Sequence, residues 1–275
     1  MNTTSDLLSA TTTMGAVTLR VADLDTMIDF YHQGVGLTVL SHTGDRALLG
    51  RGPRLVLILQ HAPDLKHAPV DHAGLFHTAI LFDTKADLAA SVYSVASTHS
   101  HSFTGSSDHL VSEAFYFDDP EGNGLELYWD RPRDQWTWTD NRIQMDTIYL
   151  DPNNFLRTNL TDAAALDRLQ EAPLGVGHVH LKVGNIAQAR DFYVDTLGFE
   201  ETTAFGNQAL FVSAGRYHHH VAMNTWQSRG AGPRTPALGL GQVSVELPTD
   251  DEVAALAGRL GSRSIQFRHD GATLT

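Results

Sequence analysis

Gly15-Ala-Val-Thr-Leu-Arg-Val-Ala-Asp23 opens the first patterned segment of the chain, and Gly177-His-Val-His-Leu-Lys-Val-Gly-Asn185 repeats it. Asp29-Phe-Tyr31 and Gly36-Leu37 follow the first copy, while Asp191-Phe-Tyr193 and Gly198-Phe199 follow the second, all at a constant offset of 162 residues. Several motifs held at one offset mark a duplication. Inside each half a second unit begins, at Gly74-Leu-Phe-His-Thr-Ala-Ile-Leu-Phe82 and at Leu238-Gly-Leu-Gly-Gln-Val-Ser-Val-Glu-Leu247. The internal spacings are 60 residues, Gly15 to Leu75, and 62 residues, Gly177 to Gly239. Four similar modules is the economical reading.

Each module reads as a strand, a helix and then two or three strands. Val17 to Val21 alternates as a strand does, and Asp23 caps a helix whose apolar residues Leu24, Met27, Ile28 and Tyr31 recur at helical spacing. Gly34 and Gly36 stop it. Thr84 with Asp87, and Thr249 with Glu252, have the form of capping boxes opening the helices of modules two and four. Strands over 55–60, 113–118 and 125–129 complete the first half. Residues 132–175 form a long linker with a helix expected near Thr161–Leu169. Module two spans 56 residues, Leu75 to Asp130, and the same length from Gly239 overruns Thr275 by about one strand and its turn. Module four is therefore expected to be closed differently or cut short.

Composition narrows the chemistry. The 275 residues are 42% hydrophobic, enough for one large core or two smaller ones. Acidic residues outnumber basic ones 32 to 19, a formal charge of −13 that repels phosphate backbones, so no nucleic-acid partner is expected. The absence of cysteine excludes disulfides, thiolate metal sites and a cysteine nucleophile. With 15 histidines present, any metal is to be held by imidazole and carboxylate. Met1 to Thr13 is polar, without a basic start or an apolar core, and no stretch approaches the roughly 18 apolar residues of a membrane span. A cytoplasmic protein with no membrane partner is the expectation.

Read from pattern alone, Glu126 alternates with Leu125, Leu127 and Trp129, so it faces away from them with Gly124 and Tyr128. That face is either water or something that needs a carboxylate. His77 shares a face with Ala79 and Leu81, which fits a hydrogen-bonded core histidine as well as a ligand. His178 and His180 lie two apart on one face, so one can bind while the other supports it.

Three stretches resemble a known family: Ser107-Asp-His-Leu-Val-Ser-Glu-Ala-Phe-Tyr116; Asp119-Pro-Glu-Gly-Asn-Gly-Leu-Glu-Leu-Tyr128 with Asp130-Arg-Pro132; and Gly215-Arg-Tyr-His-His-His-Val-Ala-Met-Asn-Thr-Trp226. They look like the vicinal oxygen chelate (glyoxalase/bleomycin-resistance/extradiol dioxygenase) superfamily, and more narrowly its two-domain catechol 2,3-dioxygenases. The resemblance covers roughly residues 14 to 275. The Asp-Pro-Glu-Gly-Asn turn is common across the superfamily, whereas the triple histidine with Asn-Thr-Trp is much narrower.

The resemblance implies an α+β fold of four βαβββ modules in two glyoxalase-like domains, 14–131 and 176–275, with curled mixed sheets around a metal cavity. In the family, ligands come from the first strands of paired modules and the last strand of one. Those positions here are Ala16, His77, His178 and Gln242, with Glu126 as the last-strand carboxylate. Pairing modules one with two, or three with four, leaves the set a ligand short. Pairing two with three gives His77, His178 and Glu126, a two-histidine, one-carboxylate triad, so the active cavity is expected between modules two and three.

That set implies Fe(II), with Mn(II) also fitting and Zn or Ni able to occupy the site in a purified sample. The implied activity is extradiol cleavage of a catechol-type diol by O2 to a 2-hydroxymuconate semialdehyde-type product. The family's acid–base histidine falls on His219, which strand alternation would group with Tyr217 and Val221; His218 and His220 stay open for that role. Tyr116, ten residues before Glu126, takes the place of a substrate-bonding tyrosine, or else is an amphipathic strand residue with its hydroxyl in water. His109 is either a supporting or substrate-binding histidine or a solvated loop residue. His42, His61, His67, His72, His99, His101 and His269 are assigned nothing. The alternatives are another metal-dependent member, such as a glyoxalase-like isomerase or lyase, or a non-catalytic small-molecule-binding protein. Related enzymes often assemble, so a homo-oligomer is allowed.

Overall fold

The computed structural model describes residues 7–161 and 164–275. Of the polar stretch Met1 to Thr13, the first six residues lie outside the described residues. Module one begins with β1 (Thr13–Val21), in which Val17, Leu19 and Val21 are fully buried at the alternation the sequence shows. The Asp23 carboxylate accepts from the Thr26 N–H and starts α1 (Leu24–Asp29), which runs into a π-helical turn over Phe30–Gly34. The module is completed by β2 (Thr38–Thr43), β3 (Arg46–Arg51) and β4 (Arg54–His61).

Module two comprises β5 (Gly74–Phe82), α2 (Lys85–Thr98), β6 (Phe103–Asp108), β7 (Ser112–Asp118) and β8 (Gly124–Asp130). Thr84 caps α2 as expected, accepting from the Asp87 N–H at 3.1 Å. The linker carries β9 (Trp138–Thr139), β10 (Arg142–Ile143), β11 (Ile148–Tyr149), α3 (Pro152–Asn159) and α4 (Ala164–Asp167). Its longer helix thus precedes the expected place. Asp151 accepts from the N–H groups of Asn153 and Asn154 and Pro152 fills the first helical position, a start signal stronger than anything in Thr161–Leu169. Within that stretch the described residues form only α4, and 162 and 163 lie outside the described residues.

Module three repeats the pattern with β12 (Leu174–Lys182), α5 (Ile186–Arg190), a π-helical turn over Asp191–Thr196, β13 (Glu200–Phe205), β14 (Ala209–Ser213) and β15 (Val221–Asn224). Module four has β16 (Gly239–Glu246) and α6 (Asp250–Ser262), capped by Thr249. After α6 the described residues add no strand to either large sheet; their only pairing is an isolated bridge between His269 and Leu274. The shortfall is larger than one strand. The thirteen residues after α6 end in a turn around Gly271, closed by reciprocal backbone bonds between Arg268 and Thr275.

Two sheets result. One is ordered β16-β1-β4-β3-β2, the other β11-β6-β7-β8-β5-β12-β15-β14-β13. The first joins modules one and four through the antiparallel pair β1–β16; the second joins modules two and three through the antiparallel pair β5–β12. On either side of that seam β8 runs parallel to β5 and β15 parallel to β12, so the nine-stranded sheet is pseudo-symmetric about it. A continuous apolar core binds both sheets to α1, α2 and α5. Among the described residues no helix is long and apolar enough to cross a membrane.

Candidate active site

The seam between β5 and β12 places the first three site residues. His77 on β5 is the register partner of His180 on β12, and His178 pairs with Ala79. Glu126 on β8 pairs with Ala79 from the other side of β5. Three adjacent strands therefore project His178, His77 and Glu126 onto one face, and all three are buried. Glu126, only 2% exposed, is not on a solvent face.

A β-bulge at Gly177 adjusts β12 here, because Val176 pairs with Ile80 while His178 pairs with the next residue, Ala79. Gly177 is required by crowding. A β-carbon there would lie 1.7 Å from the Tyr128 hydroxyl and 3.1 Å from Leu81 Cβ.

His77 Nε2 lies 3.0 Å and His178 Nε2 3.2 Å from the same oxygen, Glu126 Oε2. His77 Nε2 is buried and makes no aligned hydrogen bond despite that approach. Two imidazole nitrogens and a carboxylate oxygen directed at one point, with a nitrogen left unsatisfied, is the arrangement a divalent cation completes. Their ligand atoms all fall within 4.8 Å of one another. Burial pushes the Glu126 carboxyl upward, but His178 and His77 outweigh it and hold it well below the usual carboxylate range. Burial drives His178 down to about 4 against the pull of Glu126. The site thus supplies a carboxylate and, at His178, a neutral imidazole, the protonation states metal binding requires.

A cavity of about 620 Å³ opens above this cluster. His77, His109, His178, His180 and His219 are the histidines that line it; His42, His61, His67, His72, His99, His101 and His269 do not. Phe76, Phe205, Phe211 and Trp226 form apolar walls, with Trp226 edge-on to Phe76 at 5.4 Å. The sequence pattern does not disclose these walls, although Trp226 sits in the Asn-Thr-Trp motif. His180 backs the cluster: its Nε2 accepts from Asn224 Nδ2 at 3.0 Å, and burial first, then His77 and His178, hold its pKa well below 6.5.

Tyr116 is the direct register partner of Glu126 and lines the cavity with its hydroxyl inside, not in water. His109, in the β6–β7 turn, is brought to it, with Nε2 2.6 Å from the Tyr116 hydroxyl and Nδ1 2.7 Å from the Asp146 carbonyl oxygen. A carbonyl only accepts, so His109 carries its proton on Nδ1 and its Nε2 accepts from the Tyr116 O–H. Burial, then the Glu126 charge, raises the Tyr116 pKa well above 10, so it remains a phenol.

His219 also reaches the cavity, its ring centroid 4.1 Å from that of His178 and edge-on to Phe211 at 5.1 Å. The strand alternation expected over 217–221 does not hold, because β15 starts only at Val221 and Arg216 has φ +55°. Tyr217 does not share the face of His219; it turns to Asp130, donating to Oδ2 at 2.7 Å. His218 and His219 point toward each other, Nδ1 to Nδ1 at 2.8 Å. His220 serves the backbone, its Nδ1 accepting from the Ala214 N–H. A second trio, His178, His218 and His219, also has ligand atoms within 4.8 Å, but His218 and His219 are committed to each other and to Asp130. Ala16 and Gln242 lie in the other sheet and reach no such cluster among the described residues.

A paired-module fold with a histidine–carboxylate cluster at its seam defines a class, and sequence comparison agrees. The model of the Glyoxalase/Bleomycin resistance protein/Dioxygenase superfamily matches residues 13–127 and 175–270, and the chain belongs to that superfamily. A relative named catechol-2,3-dioxygenase, from Bacillus subtilis (strain 168), is 37% identical over 257 residues, 90% of this chain and 87% of that protein. Among solved structures, a putative dioxygenase from Bacillus subtilis subsp. subtilis str. 168 superposes with a TM-score of 0.62 at 13% identity, covering 95% of this chain and 77% of that one. Glyoxalase I from Zea mays gives 0.54 at 16% identity, over 94% and 83%. These two share the fold.

Proposed function

We propose that the protein is an extradiol ring-cleaving dioxygenase of the catechol 2,3-dioxygenase type, acting at a non-haem Fe(II) centre held by His77, His178 and Glu126. The observation that carries this reading is the convergence of those three side chains at the floor of an aromatic-walled cavity. The 37% identical relative points the same way by its name. Three protein ligands leave room for a bidentate diol and for O2, whereas a glyoxalase-like isomerase generally needs a fourth protein ligand. Mn(II) suits the same donors, and Zn or Ni can occupy them in a purified sample. When bound, the ferrous ion supplies an electron path between diol and dioxygen. The reaction balances without an outside reductant. Both atoms of O2 enter the substrate, the ring C–C bond beside the diol breaks, and a 2-hydroxymuconate semialdehyde-type product forms.

The remaining roles belong to the chain itself. The aromatic walls exclude water and orient a flat ring. His219 takes the proton of a diol hydroxyl and returns it as the ring opens; its pKa is held well below 6.5, by burial first and then by the neighbouring histidines, so it starts as a free base. Tyr116, committed as a donor to His109, offers its oxygen to a substrate hydroxyl.

Protein purified without oxygen and supplied with ferrous iron and catechol is expected to yield a yellow ring-opened product on aeration, with one O2 consumed per catechol. No product from any simple catechol would overturn the reading. Glu126→Ala is expected to abolish turnover and weaken iron binding while the fold persists. His219→Phe is expected to slow turnover about 10²-fold or more with iron still bound; loss of iron instead would mean that its role is misassigned.

A further inference from the structure

Behind His219 lies a chain of buried groups that the proposed reaction has not used. His219 Nδ1 is 2.8 Å from His218 Nδ1, and His218 Nε2 is 2.8 Å from Asp130 Oδ1. The other Asp130 oxygen accepts from the Tyr217 hydroxyl at 2.7 Å, which lies 2.7 Å from the Tyr128 hydroxyl. His218 is fully buried. Its ring is held by Tyr217, tilted at 36° with ring centroids 4.1 Å apart, and by Trp136, edge-on at 5.3 Å. Asp130 ends β8, the strand that carries Glu126, so one strand supplies both the cluster's carboxylate and this chain's terminus.

The carboxylate at the end of the chain sets the direction in which it is read. A carboxylate only accepts, so the proton of His218 resides on Nε2, facing Asp130. In the arrangement with one proton on each ring, His218 Nδ1 accepts and His219 Nδ1 donates. The remaining nitrogen of His219, Nε2, is left unprotonated. We infer that Asp130 and His218 are positioning residues that hold His219 in the Nδ1–H tautomer, keeping its Nε2 as the basic nitrogen for a substrate hydroxyl. This inference deepens the dioxygenase reading and rests on it for the role of Nε2, while the tautomer is argued from the hydrogen-bond chain to Asp130. The proton that Nε2 gains from the diol is returned to the product, and no group in the chain changes its net proton count over a turnover.

The test uses the full-length metal-free protein labelled with nitrogen-15 at histidine, at neutral pH, reading the tautomer of His219 from two-bond proton–nitrogen correlations. The His219→Phe spectrum assigns the ring. The expected result is a proton on Nδ1 of His219 in the wild type. In Asp130→Asn and His218→Phe that preference is expected to be lost, and in the iron-loaded enzymes kcat falls on the order of 10- to 100-fold while KM for catechol changes less than about 2-fold. His218→Gln, whose amide can donate to Asp130 and accept from His219, is expected to recover most of both signals. A wild-type His219 protonated on Nε2 or on both nitrogens overturns the inference, as do folded variants with tautomer and kcat unchanged. If the variants do not fold, the wild-type tautomer still decides. A wild type that shows the Nδ1–H tautomer but opens no catechol ring overturns the dioxygenase reading and leaves the tautomer assignment standing.

Discussion

At the scale of single residues, the cluster was legible because strand alternation is a short-range rule. Glu126, set among Leu125 and Leu127, had to face away from the core, and the resemblance supplied a reason for a carboxylate there. His77 and His178 followed because their strands are regular where those side chains emerge. The triple histidine was not legible in the same way, since residues 217–220 are not extended and neighbouring side chains there converge. Nor could spacing connect His218 to Asp130, 88 residues away. Tyr116 tests the finer reading. Its phenol bonds His109 and lies beside Glu126, so Tyr116→Phe removes one hydrogen bond and leaves His109 Nε2 without its donor. The expected outcome is a loss of about 1 kcal/mol in stability and roughly tenfold in kcat with iron still bound, read by denaturant titration and steady-state kinetics. An unchanged kcat would return Tyr116 to the status of a wall residue.

At the scale of elements, the repeat foretold the order of strands and helices but not how they are deformed. Gly15 and Gly177 occupy matching places in the two halves, and both lie at register shifts, between Met14 and Val17 on β1 and between Val176 and His178 on β12. A repeated glycine is visible in the sequence; the bulge that needs it is not, because the need comes from a partner strand far away. At Gly177 that need is concrete, since Tyr128 is fully buried and its hydroxyl is tied to Tyr217. Gly177→Ala puts a methyl where that hydroxyl sits. The variant is expected to lose about 2–3 kcal/mol, as overpacked cores do, and to bind iron more weakly because His178 is the next residue. Denaturant titration of the metal-free protein separates the two effects, and a neutral substitution would mean that Tyr128 can move aside. The linker shows the opposite failure. The Asp151-Pro152 start signal of α3 is local and readable, and it places the linker's longer helix ahead of Thr161–Leu169.

At the scale of the whole molecule, burying so many histidines at one seam has a consequence for stability. His178 and His220 are lowered to about 4 and about 3, chiefly by burial, and His180 and His219 are also held well below 6.5 for the same first reason. In the unfolded chain all four titrate near 6.5. Below that pH the unfolded state therefore binds more protons than the folded one, so their contribution is fully present above about pH 6.5 and is lost as the pH falls toward the folded values. Each costs roughly 1 kcal/mol per pH unit in that window. Asp119 acts in the other direction. Burial raises its carboxyl to about 6 despite bonds from Asn123 and Tyr31, so its contribution is present below its unfolded value near 3.8 and lost as the pH rises through 6. The net expectation for the metal-free protein, four histidines less the opposing Asp119, is a loss of about 3 kcal/mol per pH unit between pH 6 and 5, enough to unfold a domain of ordinary stability within a few units. Denaturant titrations at pH 7.5, 6.5 and 5.5 measure it, and a flat profile would mean that the histidines stay hydrated or charged in the fold. His220→Asn, which keeps an acceptor for the Ala214 N–H, is expected to flatten the slope by about one group's share. In the proposed reading a bound metal would be ligated by His77 and His178, so loading the site with ferrous iron should move the acid transition to lower pH and make it coincide with release of the metal.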